Sequence, residues 1–302
     1  MKYSSQNYSY VLITPARNEE AYIEKTIQSV ISQTILPMKW IIVSDGSTDQ
    51  TDNIVRKYQT KYNWIELKRV HEHRDYHFAN KASCFNAGYQ LVKTIKYDII
   101  ANLDADISFE NDYFEFLLKK FSQYPDLGVA GTPMIQAAHD PVKDGFFNET
   151  DVFGACQLFR RECFEQIGGY TPCKWGGIDW IALRTARMNG WKTRSFLEKS
   201  FFHHRPMGAT NSNIWIARFN YGKADYFLGN HFLWEIFRIC YQLTRRPFLI
   251  GGLLLFCGYC FAFVNRMEKP ISQELMSFHR YEQMQRLKSV FKNLLKFQRL
   301  KR

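Results

Sequence analysis

The spacing of short, unbroken apolar runs constrains this chain most. Tyr10-Val11-Leu12-Ile13, Trp40-Ile41-Ile42-Val43 and Ile99-Ile100-Ala101-Asn102-Leu103 are continuous rather than alternating. A strand with one wet face alternates, whereas a strand covered on both faces has no polar side to mark. Between the first two runs, Ile23, Ile27, Val30 and Ile31 recur at helical spacing. Further helices are predicted over residues 49–62, 82–94, 111–121 and 179–189, the last closed by Gly190. Further strands are predicted at 65–67, 129–134 and 156–159. Strands alternating with helices imply a doubly wound α/β sheet, with ligands bound at the carboxyl ends of the strands. With 302 residues, 46% of them hydrophobic, the chain can build one such domain and an appendage.

The strand ends carry the polar residues. Thr14-Pro15-Ala16-Arg17-Asn18-Glu19 follows the first run, and Asp45-Gly46-Ser47-Thr48-Asp49 follows the second. Asp104-Ala105-Asp106 follows the run that ends at Leu103. Two carboxylates one residue apart at a strand exit can share a hard divalent cation, and Mg²⁺ is usually held by carboxylates together with substrate phosphates. Each piece also has a plain structural reading. Asp45 can be a turn residue, Pro15 a strand stop, Lys81 a solvated lysine, and Asp49 or Asp179 a helix cap. His71, His73 and His77 cluster, but without cysteine or regular helical spacing they read as a polar loop rather than a zinc site.

Taken in order, these pieces resemble the inverting nucleotide-sugar glycosyltransferases of family two, which have the GT-A fold. The matching residues are Pro15-Ala16-Arg17-Asn18-Glu19, Ser44-Asp45-Gly46-Ser47-Thr48-Asp49, Lys81 with Asn86 and Gly88, and Asp104-Ala105-Asp106. Later come Phe159-Arg160-Arg161, Gly168-Gly169-Tyr170, and Gly177-Ile178-Asp179-Trp180 with Arg184 and Gly190. The resemblance implies a Rossmann-like mixed sheet flanked by helices over residues 1–210. It implies a nucleotide pocket of Pro15, Ala16, Arg17, Glu19, Asp45, Lys81 and Asp104, with uracil the expected base. It implies Mn²⁺ or Mg²⁺ on Asp104 and Asp106, completed by His203 or His204, with His204 the preferred one. Asp179 becomes the general base, although Ile178 stands where the family usually has a second acid. Trp175, Ile178 and Trp180 are the acceptor-side candidates. A nucleotidyltransferase and an inactive nucleotide-sugar-binding protein on the same fold are the rival readings.

The composition changes beyond His204. Residues 247–264 form an uncharged apolar run flanked by Arg245, Arg246, Arg266 and Lys269. From Asn265 to Arg302 there are ten Lys or Arg against three Glu. Over 280–302, Leu287, Phe291, Leu294 and Leu295 line one helical face among Lys288, Lys292, Lys296 and Arg299. Such a basic amphipathic helix lies on anionic lipid. The net charge of +11 thus points to a membrane surface and not to nucleic acid, for which no recognition motif is present. Residues 211–302 are therefore expected to be a helical, membrane-associating extension. Monotopic attachment to the cytoplasmic leaflet is the expectation, with a single span through 247–264 as the alternative. The seven cysteines have no framework spacing, which argues for a reducing compartment, and the N-terminus has no secretory apolar segment.

Overall fold

The computed structural model describes residues 8–70, 78–136, 148–173, 176–205, 214–245 and 247–299. The chain divides into two compact units, Met1–Pro206 and Met207–Arg302.

The first unit is built on a seven-stranded sheet. Its strands are β1 (Tyr10–Ala16), β2 (Lys39–Asp45), β3 (Ile65–Val70), β4 (Ile99–Leu103), β6 (Leu127–Gly131), β8 (Cys156–Arg160) and β9 (Lys192–Ser195), in the order β3-β2-β1-β4-β8-β6-β9. β1, β2, β3 and β4 pair in parallel, and β8 runs antiparallel to both β4 and β6. The sheet is mixed through that one reversed strand. Three short strands, β5 (Ile107–Ser108), β7 (Met134–Ile135) and β10 (Phe201–His203), form a second sheet in the order β5-β10-β7.

The continuous apolar runs are explained by cover on both faces. Tyr10, Leu12, Trp40, Ile42, Ile99 and Ala101 join one core cluster with α1 (Ile23–Ile31), α2 (Thr51–Gln59) and α4 (Tyr113–Gln123). The alternate residues Ile13, Ile41 and Val43 face α3 (Phe78–Val92), whose Gly88 approaches so closely that a Cβ there would stand 2.7 Å from Ile13 Cγ2. Pro15 pairs with Val43 of β2 but lies beyond the end of the β4 pairing at Ile13 and Asn102, a place where a missing N–H is tolerated. The two remaining helices of this unit are α5 (Arg161–Gln166) and α6 (Ile178–Met188). The Arg160 side chain is structural. It donates to the carbonyls of Leu127 and Phe121 from a buried position.

α3 begins four residues before the predicted start at 82, so Lys81 stands on a helix and not in a loop. The short elements β5, β7, β9, β10 and α5 were not expected, because two to six residues are too few to establish a period.

The second unit contains α7 (Ile214–Phe227), α8 (Phe232–Leu243), α9 (Ile250–Val264) and α10 (Gln273–Arg299). α7 packs on α9, and α8 packs on α9. No described helix is long and apolar enough to cross a membrane. α9 has 15 residues, about 22 Å at the helical rise, against a hydrocarbon core of about 30 Å. A single span through 247–264 is therefore not formed by this helix. On α10 the predicted stripe is split, with Leu287 buried and Phe291 exposed, while the side chains of Leu294 and Leu295 fall outside the described residues. The same holds for His71, His73 and His77.

Candidate active site

The loops leaving β1 and β2 are tied to one another. Asn18 has φ 54°, a left-handed conformation that Asn tolerates better than most residues. The Thr48 N–H donates to Asn18 Oδ1 at 2.9 Å, and the Asn18 N–H donates to Ser47 Oγ at 3.2 Å. The Glu19 N–H donates to Thr51 Oγ1 at 2.7 Å. Asp49 accepts from the N–H groups of Glu20 and Thr51 at 3.0 Å each, so this carboxylate is occupied in holding the two loops together. Within this frame Arg17 Nη1 stands 3.5 Å from the buried carboxylate of Asp45. Ala16 is buried and Pro15 half-buried beside them.

β5 starts directly after Asp106, and it pairs antiparallel with β10, with His203 opposite Ile107. That register brings residues almost a hundred positions apart into one cluster. One ligand atom each from Asp104, Asp106 and His203 lie within 4.8 Å of one another. His203 Nε2 is 3.5 Å from Asp106 Oδ1. Its Nδ1 is 2.5 Å from the Arg205 carbonyl, which can only accept, so Nδ1 donates there and Nε2 is the ring atom turned to Asp106. Successive residues of a strand point to opposite faces. His204 is accordingly turned away, with Nε2 3.0 Å from Ser108 Oγ and its ring stacked near Tyr22. The structure thus places His203 beside the carboxylates, and not the preferred His204.

This donor set fits a hard divalent cation. Burial raises the Asp106 pKa, and the negative charge of Asp104 raises it further, against His203, Arg205 and Lys81. A cation between the carboxylates would relieve that repulsion. Glu19 borders the same group. Its carboxyl is pushed up to about 7, first by burial and then by the charge of Asp106, although Arg205 hydrogen-bonds it. Arg205 also reaches Asp106, Nε to Oδ2 at 3.5 Å, so one guanidinium spans both acids.

Lys81, in the first turn of α3, holds Asp104 Oδ1 at 2.5 Å. Burial pulls the Lys81 pKa down, but the charge and hydrogen bond of Asp104 outweigh it, with smaller help from Asp179 and Asp106, and the ammonium stays charged. Asp179 lies in the first turn of α6, after Gly177 at φ 78°. Its carboxylate packs on Gly154, where a Cβ would stand 2.4 Å from Oδ2. The Gly154 carbonyl accepts from Asn102 Nδ2 at 2.6 Å, which links this carboxylate to β4. Burial raises the Asp179 pKa, and Lys81 opposes the rise. Ile178 is buried, and the Arg184 guanidinium lies 5.2 Å from the Trp180 ring centre. Trp175 falls outside the described residues.

Residues 11–145 match the family model described as glycosyl transferase family 2. The chain carries a family 2 glycosyltransferase domain. The poly-β-1,6-N-acetyl-D-glucosamine synthase of Staphylococcus aureus is 31% identical over 120 residues, which cover 39% of this chain and 27% of that synthase. The chain therefore matches only about a quarter of the length of this relative. A Staphylococcus epidermidis synthase of the same name is 28% identical over 124 residues, again 27% of its length. Among solved structures, the mannosyltransferase PcManGT of Pyrobaculum calidifontis, in complex with GDP-Man and Mn²⁺, has a TM-score of 0.56 at 15% identity. That match covers 94% of this chain and 81% of the other. S. aureus TarS 1-349 with UDP-GlcNAc gives 0.54 at 13% identity, over 90% and 78% of the two chains. These likenesses agree on a GT-A fold.

Two residues of this cluster escape the sequence. Arg205 is a single arginine after the histidine pair, and nothing in its neighbours marks it. Gly154 sits in a stretch that reads as loop, and only its contact with Asp179 reveals why no larger residue fits.

Proposed function

We propose that this chain is an inverting, divalent-metal-dependent glycosyltransferase. It transfers a sugar from a nucleoside-diphosphate sugar to a membrane-associated glycan or lipid-linked acceptor. The observation that carries this reading is the convergence of Asp104, Asp106 and His203 on one point, with Lys81 joining that point electrostatically to Asp179. UDP is the expected nucleotide. The UDP-GlcNAc in the TarS complex supports it, while the GDP-Man complex keeps a guanine donor in the test.

The roles follow from the chemistry of each group. Arg17 and Asp45 form the floor against which the base is held. Lys81 remains cationic and neutralises part of the diphosphate. A divalent cation on Asp104, Asp106 and His203 would stabilise the charge of the departing diphosphate. Asp179 takes the proton of the acceptor hydroxyl. Its burial makes it a stronger base than a solvated carboxylate, and the charge of Lys81 opposes that rise. Arg205 positions Asp106 through its guanidinium and His203 through its carbonyl. No side chain is assigned as a nucleophile, so a single displacement inverts the anomeric centre.

The chain is further proposed to attach to the cytoplasmic face of a membrane, through residues 247–264 and the basic tail. Binding of UDP, GDP and their sugars in Mn²⁺ or Mg²⁺, read by thermal shift, tests the donor. The expected result is a metal-dependent shift with one nucleotide, abolished in Asp106→Asn. A shift of equal size without metal, or in Asp106→Asn, overturns the assignment. Release of pyrophosphate instead of nucleoside diphosphate would make the chain a nucleotidyltransferase.

A further inference from the structure

α9 turns most of its large apolar side chains outward and packs its small residues inward. α9 buries Gly251, Gly252, Leu255, Gly258 and Ala262. It exposes Ile250, Leu253, Phe256, Phe261, Phe263 and Val264. The glycines are required by backbone contact. A Cβ on Gly258 would stand 2.0 Å from the Phe219 carbonyl oxygen of α7, and one on Gly222 of α7 would stand 1.9 Å from the Leu255 carbonyl oxygen. Meanwhile Asp225, Asn230, Glu235, His279 and Gln283 are buried. Arg238 Nη1 meets Asp225 Oδ1 at 2.5 Å, and Asn230 Oδ1 accepts from Gln283 Nε2 at 2.7 Å. In water, large apolar side chains are driven inward and exposed apolar patches mark a binding surface. In hydrocarbon that drive vanishes, and helices associate through small residues and interior polar contacts.

The exposed apolar surface continues onto α8 and the turn before α9. Phe232, Leu233 and Ile236 are exposed on α8. Phe248 and Leu249 are exposed in the turn, Leu249 at 68%. Leu249 also has φ 59°, in the region that side-chain-bearing residues avoid. A strained backbone that holds an apolar side chain outward persists where the exposed position has a use.

We infer that α8, the turn and α9 form a surface that lies in the plane of a membrane, with its large apolar side chains among the acyl chains of one leaflet. Two observations favour lipid over a second copy of the chain. α9 is bracketed by exposed cations, Arg245 before it and Arg266 after it, which suit the headgroup level at both ends of an in-plane helix. Exposure runs from Ile250 to Val264, the whole length of the helix, as in-plane burial requires. The inference rests on the membrane attachment proposed above and divides it. The α8–α9 surface supplies a charge-independent part, and the basic tail supplies an electrostatic part.

Flotation of the full chain with phosphatidylcholine vesicles, and with vesicles that also contain phosphatidylglycerol, separates the two parts. The wild type is expected to float with both. Leu253→Asp/Phe256→Asp and Leu233→Asp/Ile236→Asp, on positions exposed enough to leave the fold intact, should each reduce flotation with neutral vesicles at least 10-fold. Lys288→Glu/Lys292→Glu should reduce only the anionic, salt-sensitive component. Nucleotide thermal shifts in each variant report that the first unit is folded. Binding of the wild type to anionic vesicles alone would overturn the insertion and leave membrane attachment standing. Failure to bind any vesicle would remove both. A dimer in solution that Leu253→Asp/Phe256→Asp turns into monomer, with flotation unchanged, would show that a second copy covers the surface and overturn the inference.

Discussion

In the first unit, β1, β2 and β4 hide Leu12, Ile42 and Ile99 completely, and the charged groups gather at the strand ends. In the second unit, α9 hides three glycines, an alanine and Leu255, and the carboxyl groups of Asp225 and Glu235 lie inside. On β1, β2 and β4 the large apolar side chains face inward, whereas on α9 Leu253, Phe256, Phe261 and Phe263 face outward. Burial of apolar area is favourable only when water is the medium outside. The contrast therefore teaches that apolar content alone does not reveal which residues form a core.

The functional end of this comparison gives the largest expected effect. If chemistry in the first unit sits on the polar rim, Asp179→Asn should lower transfer by about 10²–10⁴-fold, the usual worth of a general base. Donor binding and thermal stability should persist. Transfer at wild-type rate would place the base elsewhere.

The packing end is sharper still as a contrast. Leu12→Ala should cost about 2–5 kcal/mol of unfolding free energy, as for a close-packed core site. Leu253→Ala in detergent-free buffer should change it by less than about 0.5 kcal/mol, as at an exposed surface position. Chemical denaturation of each variant measures both. Equal losses would mean that α9 is covered in solution.

A third comparison lies at the end of β10. His203→Gln should weaken Mn²⁺ binding by about 10–100-fold, a range typical even for groups that only orient ligands. His204→Gln should leave it nearly unchanged, since that ring faces Ser108. Calorimetric titration of each variant with Mn²⁺ and nucleotide decides between them.

The smallest effect concerns pH. Burial raises Asp225 from 3.8 to about 7, against the opposing charge of Arg238 and with the charge of Glu235 adding to the rise. The folded second unit thus holds a proton that the unfolded chain has already lost between about pH 4 and 7. Its stability should fall as pH rises through that window. Asp225→Asn should flatten the profile, as read from urea midpoints at pH 5 and pH 7.5. A profile of unchanged slope would assign the proton to another group.

Much of the first unit was legible because its runs are long and its polar residues fall at strand ends. Tyr10–Ile13 and Trp40–Val43 lie within β1 and β2, and Asp104 and Asp106 lie at the exit of β4. The reversed direction of β8 was not legible, because Cys156-Gln157-Leu158-Phe159 is buried on both faces like β4 and β6 beside it and carries no mark of direction. The choice between His203 and His204 was equally hidden. It depends on which face of β10 turns toward Asp106, and a strand of three residues has no pattern to reveal that.

The sequence by itself determined the chemical inventory, the order of the longer strands and helices of the first unit, and the family resemblance, since these follow from local periodicity and from short motifs at strand ends. Tertiary structure alone decided which histidine joins the two aspartates, that Arg205 spans Glu19 and Asp106, and that Gly154 makes room for Asp179. It also decided that α9 faces outward with its large side chains. Each of these depends on a contact between residues far apart in the chain, and such contacts exist only after the register of strands and the close approach of helices have been fixed.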